Sequence, residues 1–368
     1  MLIMNTKKIL EKFSHIVSPS GYEYMAEPAL KKIIDEDFQN VFDEIIFDKF
    51  GGCRLIKRGL GTPHGGKIML DAHIDQIGLV VTEVLDGGFL RVKSLGGLDV
   101  NILPASEFYV YTYEENEPFI FSADRKIPAI AVSVPPHLKK NADNNSNNLP
   151  KLEDIYLDTG YNSKEELEKI VKIGSPVTFK TDFLNLENNL VSCAGMDDRL
   201  CAAILMLTVK SLKNISDINV DVYIVLSVSE ETNGFGAAAA AFEIKPDFAV
   251  VLDVGFSRDP GVDSSGSFEM GKGAGISYSA ANNIKLTKEI ISLAKDKKIP
   301  VQIIAEPTET GTNADSIQIT GEGTPCVLIS VPLKNMHTFN EICSIKDIET
   351  TVELVREIIE NGGIINDK

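Results

Sequence analysis

The chain has 368 residues, a formal net charge of −17 and 43% hydrophobic residues, more than one ordinary core requires and enough for two domains. The acidity is read as a solubility device and argues against nucleic acid or an anionic membrane as a partner. No apolar run is long enough to span a bilayer, MLIMNTKKILEKFSHI reads as an amphipathic helix rather than a signal peptide, and the odd set Cys53, Cys193, Cys201, Cys326 and Cys343 reads as buried free thiols of a reducing cytoplasm.

Residues 5–17 and 24–37 read as helices, separated by Ser18-Pro19-Ser20-Gly21-Tyr22. Proline and glycine end the first, and Ser20 or Glu23 helps to start the second. Pro28 falls near the start of that second helix, where a missing N–H does little harm. DEIIFDKF and CRLIKRG are strands around a Gly51-Gly52 turn. A loop carrying His64, read as an exposed polar residue, leads into the apolar strand KIMLDAHID.

After Asp75 the texture changes. IGLVVTEVLDGGFLRVKSLGG alternates apolar and polar residues around Gly87-Gly88, the pattern of an antiparallel hairpin. FYVYTY, PFIFSA and IPAIAVSV continue it as further short strands, and helical periodicity returns only at SKEELEKIV. Residues 76–182 are therefore expected to form an inserted β-rich domain, a small barrel or sandwich. Within it, NADNNSNN at 141–148 reads as a mobile surface loop, and His137 just before it lacks ligand spacing.

From Asn185 strands near 220–228, 248–253 and 325–331 alternate with helices near 199–213, 233–243, 283–298 and 346–361. That βαβ rhythm predicts the α/β class, a mostly parallel sheet covered by helices. The α/β domain is then discontinuous, residues 1–75 and 183–368, with the insert springing from between its halves.

Potential ligands stand at the ends of apolar strands: His73 and Asp75 after IMLDAHID, Glu230 and Glu231 after YIVLSVSEE, Asp253 in FAVVLDVG and His337 after CVLISVPLKNMH. Asp197 and Asp198 occupy a turn before the helix CAAILMLTVKSL. Singly, each has an ordinary explanation: acids cap helices, and a histidine is a core or surface residue more often than a ligand. Together they meet where an open α/β sheet binds its ligands, beyond the carboxyl ends of the strands. Imidazoles and carboxylates in that number predict a metal site, with zinc, cobalt or manganese suited to the donors. A pair of ions about 3.5–4 Å apart can hold a water between them and lower its pKa. Asp197 is the bridging candidate, and the Glu230–Glu231 pair suits a division into one ligand and one general base. A thiolate from Cys193 or Cys201 is set aside, because the histidines and acids already fill the site.

AHID at His73, GMDDR at Asp197, SEETNGFGA at Glu230, LDVG at Asp253 and MHTFNE at His337 resemble, in this order, the TET-type aminopeptidases, dinuclear metallopeptidases that include glutamyl aminopeptidase-like enzymes. The resemblance covers nearly the whole chain. It implies that His73, Asp197 and Asp253 hold one ion and that Asp197, Glu231 and His337 hold the other. Glu230 is then the base, and Asp75 orients the His73 ring. It further implies hydrolysis of N-terminal residues from short peptides, dimers made through the inserted domain, and a tetrahedral dodecamer enclosing the sites.

The chain departs from that pattern at Ser229, where glutamine is expected, at Asn233 and Phe235, and at Asn313, where aspartate is expected. None of these is a ligand or the base, so side-chain preference is what they leave open. GKGAG at 271–275 and ETGTNADS at 309–316 lack phosphate-cradle spacing and read as loops that let backbone approach a peptide. The rival readings are an N-acyl-amino-acid deacylase or carboxypeptidase on the same scaffold, a glycosidase pairing Glu230 with Asp253, and a non-catalytic assembly protein. The absence of tryptophan argues against a glucan cleft.

Overall fold

The computed structural model describes residues 2–59, 66–114, 117–133, 151–212, 218, 220–306 and 308–361. His64, His137 and the 141–148 run lie outside the described residues. The chain opens with the amphipathic helices α1 (Leu2–Ser14) and α2 (Glu27–Asp37), the latter with Pro28 in its first turn. Strands β1 (Glu44–Phe47), β2 (Cys53–Lys57) and β3 (Lys67–His73) follow.

The alternating region closes into a barrel of β4 (Gly78–Val84), β5 (Phe89–Leu95), β6 (Glu107–Glu114), β7 (Glu117–Ser133), β8 (Ile155–Asp158) and β9 (Pro176–Phe179), in the order β4-β5-β8-β7-β6-β9. The short helix α3 (Lys164–Leu167) lies before its last strand. Every second residue points inward, so Leu79, Val81, Leu90, Val92, Val110, Leu157 and Val177 form a core separate from that of the main sheet. The β4–β5 turn needs its glycines: Gly87 and Gly88 have φ of 77° and 78°, and a Cβ on Gly88 would lie 2.1 Å from Tyr161 O. PFIFSA and IPAIAVSV prove to be one 17-residue strand, β7. It pairs with β6 on both sides of a register shift that takes up the polar SADRK stretch, and with β8 over Ile130–Ser133, so the polar residues fall in an irregularity within one strand where alternation alone suggests a break.

The remaining elements are β10 (Leu184–Asn185), β11 (Leu190–Cys193), α4 (Met196–Ser211), β12 (Asp221–Ser227), α5 (Phe235–Ile244), β13 (Phe248–Phe256), β14 (Ala274–Tyr278), α6 (Ile284–Lys297), β15 (Val301–Ala305), α7 (Asn313–Ile317), β16 (Cys326–Leu333), β17 (Glu341–Ser344) and α8 (Ile345–Glu360). The main sheet has eight strands in the order β1-β2-β12-β3-β13-β16-β14-β15. Its middle is parallel, β12 with β3, β3 with β13 and β13 with β16. The β1–β2 hairpin is antiparallel, as so short a connection requires. On the other flank β14 also runs antiparallel to β16.

Register puts the strand ends side by side: Ser227 is opposite His73, and Asp253 is opposite Ser330. Beneath this edge runs α4, buried from Met196 to Val209. A helix apolar on every side belongs in the centre of a protein, and α4 packs against α1, α8, β3 and β13. Within the main sheet two strands, β14 and β15, were not read from sequence. VQIIA has no clean alternation because β15 is a half-exposed edge strand. GKGAG is not a substrate loop: the Gly271 and Gly273 N–H groups donate to Asp347 of α8 at 2.6 and 2.8 Å, and β14 begins at Ala274. Among the described residues no helix is long and apolar enough to cross a membrane, and all five cysteines are buried and free.

Candidate metal centre

The parallel strands deliver their last residues to one crevice. His73 ends β3, Glu230 and Glu231 follow β12, Asp253 lies in β13, and His337 lies in the turn between β16 and β17. Asp197 arrives from below, at the start of α4, after Gly195 in the left-handed conformation (φ 69°). A Cβ at Gly195 would be strained by that backbone conformation and would press on the buried Arg199 guanidinium, 2.7 Å away at Nη1.

Asp197 faces both imidazoles. Its Oδ1 is 3.2 Å from His73 Nε2, and its Oδ2 is 3.4 Å from His337 Nε2. Glu231 Oε2 is 3.4 Å from His337 Nε2, whereas Glu230 Oε2 lies 3.8 Å from His73 Nε2. Ligand atoms of His73, Asp197 and Glu231 fall within 4.8 Å of one another, as do those of His73, Asp198 and Asp253. Neither expected ligand set recurs in these groupings: His73 stands in place of His337 beside Asp197 and Glu231, and Asp198 in place of Asp197 beside His73 and Asp253.

Asp75 is buried beside His73 Nδ1, with Oδ1 at 3.4 Å and its main-chain oxygen at 3.1 Å. It also accepts hydrogen bonds from Ser20 Oγ (2.7 Å), Glu230 N (3.0 Å) and Glu231 N (3.3 Å). One carboxylate thus fixes a ring on β3 and the backbone of the adjacent glutamates.

Sequence reasoning missed a second such residue. Glu341 is buried, its Oε1 accepting from His337 N at 2.9 Å and its Oε2 from Asp197 N at 3.2 Å. It lies within the quoted MHTFNE segment, so the available signal was an acid closely following His337. Asp198 was visible as one of two adjacent acids, but nothing in its spacing said that its side chain would be buried. Glu23, in the SGYE segment, accepts from Ser229 N and Oγ at 3.0 and 3.1 Å, which accounts for serine at that position. Asn313 donates to Asp71 Oδ2 and Ser227 Oγ, each at 2.9 Å, beneath the strand ends. Phe235 is exposed at the start of α5, and Asn233 Oδ1 accepts from its N–H.

The protonation balance is that of a site built around positive charge. Burial, reinforced by neighbouring carboxylates, pushes Asp198, Glu231 and Asp253 well above the ordinary carboxylate range. Burial pushes Glu230 to about 7. Burial also opposes ionisation of Asp197, but hydrogen bonds from His337 and His73 overcome it and hold that carboxyl low. For His337 burial favours the neutral ring, yet the bond to Asp197 and the charge of Glu231 raise it to about 10. Among the described residues, both oxygens of Asp198 and Oε1 of Glu231 are buried without a hydrogen-bond partner. Such atoms are expensive to bury unless a cation meets them, so the donor set fits divalent ions. Cys201, next to Asp198, has its thiol pushed far up by burial and by that carboxylate, which makes it a poor ligand.

The crevice opens into a cavity of about 430 Å³ that reaches Phe256, Glu306, the Thr310–Thr312 backbone and Met336. The 309–316 segment therefore lines the site, as expected of it. Thr312 caps α7, and Asp315 in the first turn of that helix accepts from Thr310 N and Gly311 N and so shapes this loop.

Comparison with known proteins agrees with the chemistry. The profile of the M42 glutamyl aminopeptidase family matches residues 51–354. The lysyl aminopeptidase of Pyrococcus furiosus is 29% identical over 354 residues, covering 96% of each chain. A TET aminopeptidase from the marine sediment archaeon Thaumarchaeota archaeon SCGC AB-539-E09 superposes with a TM-score of 0.86 at 27% identity, over 98% of this chain and 97% of that one. The Pyrococcus horikoshii TET1 peptidase, which can assemble into a tetrahedron or a large octahedral shell, gives a TM-score of 0.80 at 28% identity, over 96% of this chain and 99% of that one. Strand-end imidazoles and carboxylates over one crevice, on this fold and with these relatives, lead to one conclusion: the chain belongs to the M42 glutamyl aminopeptidase family of metal-dependent peptide hydrolases.

Proposed function

We propose that the protein is an aminopeptidase that removes N-terminal residues from short peptides with two divalent ions, zinc or cobalt and alternatively manganese. The observation that carries this reading is the Asp197 carboxylate set between the His73 and His337 imidazoles at an open cavity, with buried oxygens of Asp198 and Glu231 that have no hydrogen-bond partner among the described residues. His73, Asp197 and Asp253 would hold one ion, and Asp197, Glu231 and His337 the other, with Asp198 as a further oxygen donor within reach on the Asp253 side. When bound, the ions polarise the scissile carbonyl and make water acidic enough to attack near neutral pH.

The chain's own residues supply the rest. Glu230 is the general base: its carboxylate takes a proton from the attacking water and returns it to the departing amine nitrogen. Its half-buried position suits this task, because burial brings its affinity for protons close to neutral pH. Asp75 fixes the orientation of His73 and the position of the glutamate backbone.

Residues 1–75 with 183–368 would form the catalytic unit, and the inserted residues 76–182 the unit of assembly. We take the working form to be a homo-oligomer, dimers joined through the barrel and stacked into a tetrahedral dodecamer. Buried free thiols suit a reducing cytoplasm.

The test is a panel of aminoacyl p-nitroanilides and N-acyl amino acids, run on metal-free protein and again with zinc, cobalt or manganese. Metal-dependent release of aminoacyl groups with free amines is expected. Turnover of the N-acyl compounds alone would instead favour a deacylase on the same scaffold.

A further inference from the structure

Within the same cavity stands a carboxylate to which the hydrolytic reading gives no role. Glu306 follows β15, and its N–H donates to Tyr278 O at 2.9 Å, which ties it to the end of β14. Its Oε2 is shielded from solvent and, among the described residues, has no hydrogen-bond partner. The ion pairs of His73 and His337 run to Asp75, Asp197, Glu230 and Glu231 and not to Glu306. The carboxylate therefore makes no ion pair with either imidazole while it lines the space the substrate enters.

That space has a definite electrostatic sign. Among the described residues that line it there is no lysine or arginine, whereas Glu306 adds a carboxylate beyond those of the metal centre. Phe256 and Met336 supply apolar wall. A long side chain with methylenes along its length and a cation at its end matches both features, because such chains lay their stems on apolar surface and direct the charge to a polar partner. An acidic side chain reaching Glu306 would meet a carboxylate there, with no lysine or arginine among the described lining residues to offset it.

We propose that Glu306 is a specificity-determining residue that receives the ammonium or guanidinium group of an N-terminal lysine or arginine, so that the enzyme prefers basic to acidic N-terminal residues. The proposal rests on the aminopeptidase reading above and deepens it to a substrate class. The α-amino group is the other cation a peptide brings. It sits one carbon from the scissile carbonyl, next to the centre where Glu230, Glu231 and Asp253 already provide carboxylates, so Glu306 is left for the side chain.

The experiment compares kcat/KM of the metal-loaded enzyme on Lys-, Arg-, Leu- and Glu-p-nitroanilide for the wild type, Glu306→Gln and Glu306→Lys. Lysyl and arginyl substrates are expected to outrank the glutamyl one in the wild type. Glu306→Gln should lower the Lys:Leu ratio by about 10–100-fold, the size of a lost charge-assisted contact, mainly through KM. Glu306→Lys should raise the Glu:Lys ratio further. Unchanged ratios in both variants, or an equal loss on all four substrates as expected of an α-amino clamp, would overturn the assignment. A wild type that cleaves none of the four substrates would overturn the aminopeptidase reading itself, a result distinguishable from failure of the Glu306 assignment.

Discussion

Glu230 and Glu231 are adjacent in sequence and leave one strand end, yet they meet different neighbours. Glu231 reaches His337 at 3.4 Å, and Glu230 stands 3.8 Å from His73. Divergent neighbouring side chains at a strand end let one carboxylate bind an ion while the other handles protons. Glu230→Gln is expected to keep both metals and to lose about 10²–10⁴ in turnover, since it removes proton transfer and no ligand. Glu231→Gln should instead lose metal and recover part of its activity in excess metal. Metal content after dialysis, measured together with turnover, checks both. A metal-deficient, rescuable Glu230→Gln beside a metal-replete, inactive Glu231→Gln would reverse the two roles.

At the scale of elements, the site is assembled by carboxylates that join main-chain segments from different parts of the sequence. Asp75, just past β3, binds the backbone after β12, and Glu341 at the start of β17 binds both the first turn of α4 and the turn that carries His337. Each of these acids is buried, so it holds its geometry without competition from water. Partners that orient metal ligands typically matter by about 10–100-fold in metal affinity or activity. Asp75→Asn and Glu341→Gln are both expected to show losses of that size with circular dichroism unchanged. Equilibrium dialysis against zinc measures the effect, and wild-type affinity in either variant would show that its carboxylate does not position the ligands. Arg199 belongs to the same framework. It is fully buried on α4 and donates to Ser18 Oγ and to the Ile74 and Ser14 carbonyls, which joins α1 to the end of β3.

For the whole molecule, the strongest constraint is the division between a sheet that holds the proposed ligands at its strand ends and a separately packed barrel. The barrel contributes none of the proposed ligands, while Ile120, Ile130 and Ile173 stand exposed on it or beside its last strand. Apolar side chains left in water on a chain of net charge −17 are candidate contacts between copies. The double variant Ile130→Lys with Ile173→Glu is expected to shift the mass seen by light scattering to smaller species. A wild type that runs as a stable, active monomer at micromolar concentration would rule out assembly through this surface.

The amino-acid sequence by itself determined the local periodicities and the chemical inventory. Alternation marked the β4–β5 hairpin, the βαβ rhythm marked the main sheet, and apolar runs ending in His73, Glu230, Glu231 and Asp253 marked the crevice, because strand faces and strand ends are set by neighbours along the chain. Only the tertiary structure decided which of these groups meet. That the two oxygens of Asp197 face His73 and His337 depends on strand order and on the seating of α4, neither of which is written in a local pattern. Glu341, Asp198 and Glu306 carry no periodic signal, and their roles come from burial and from what lies across the cavity. The two glycine-rich stretches make the same point: Asp347 occupies the N–H groups of one, while the other borders the cavity, and the difference lies wholly in long-range packing.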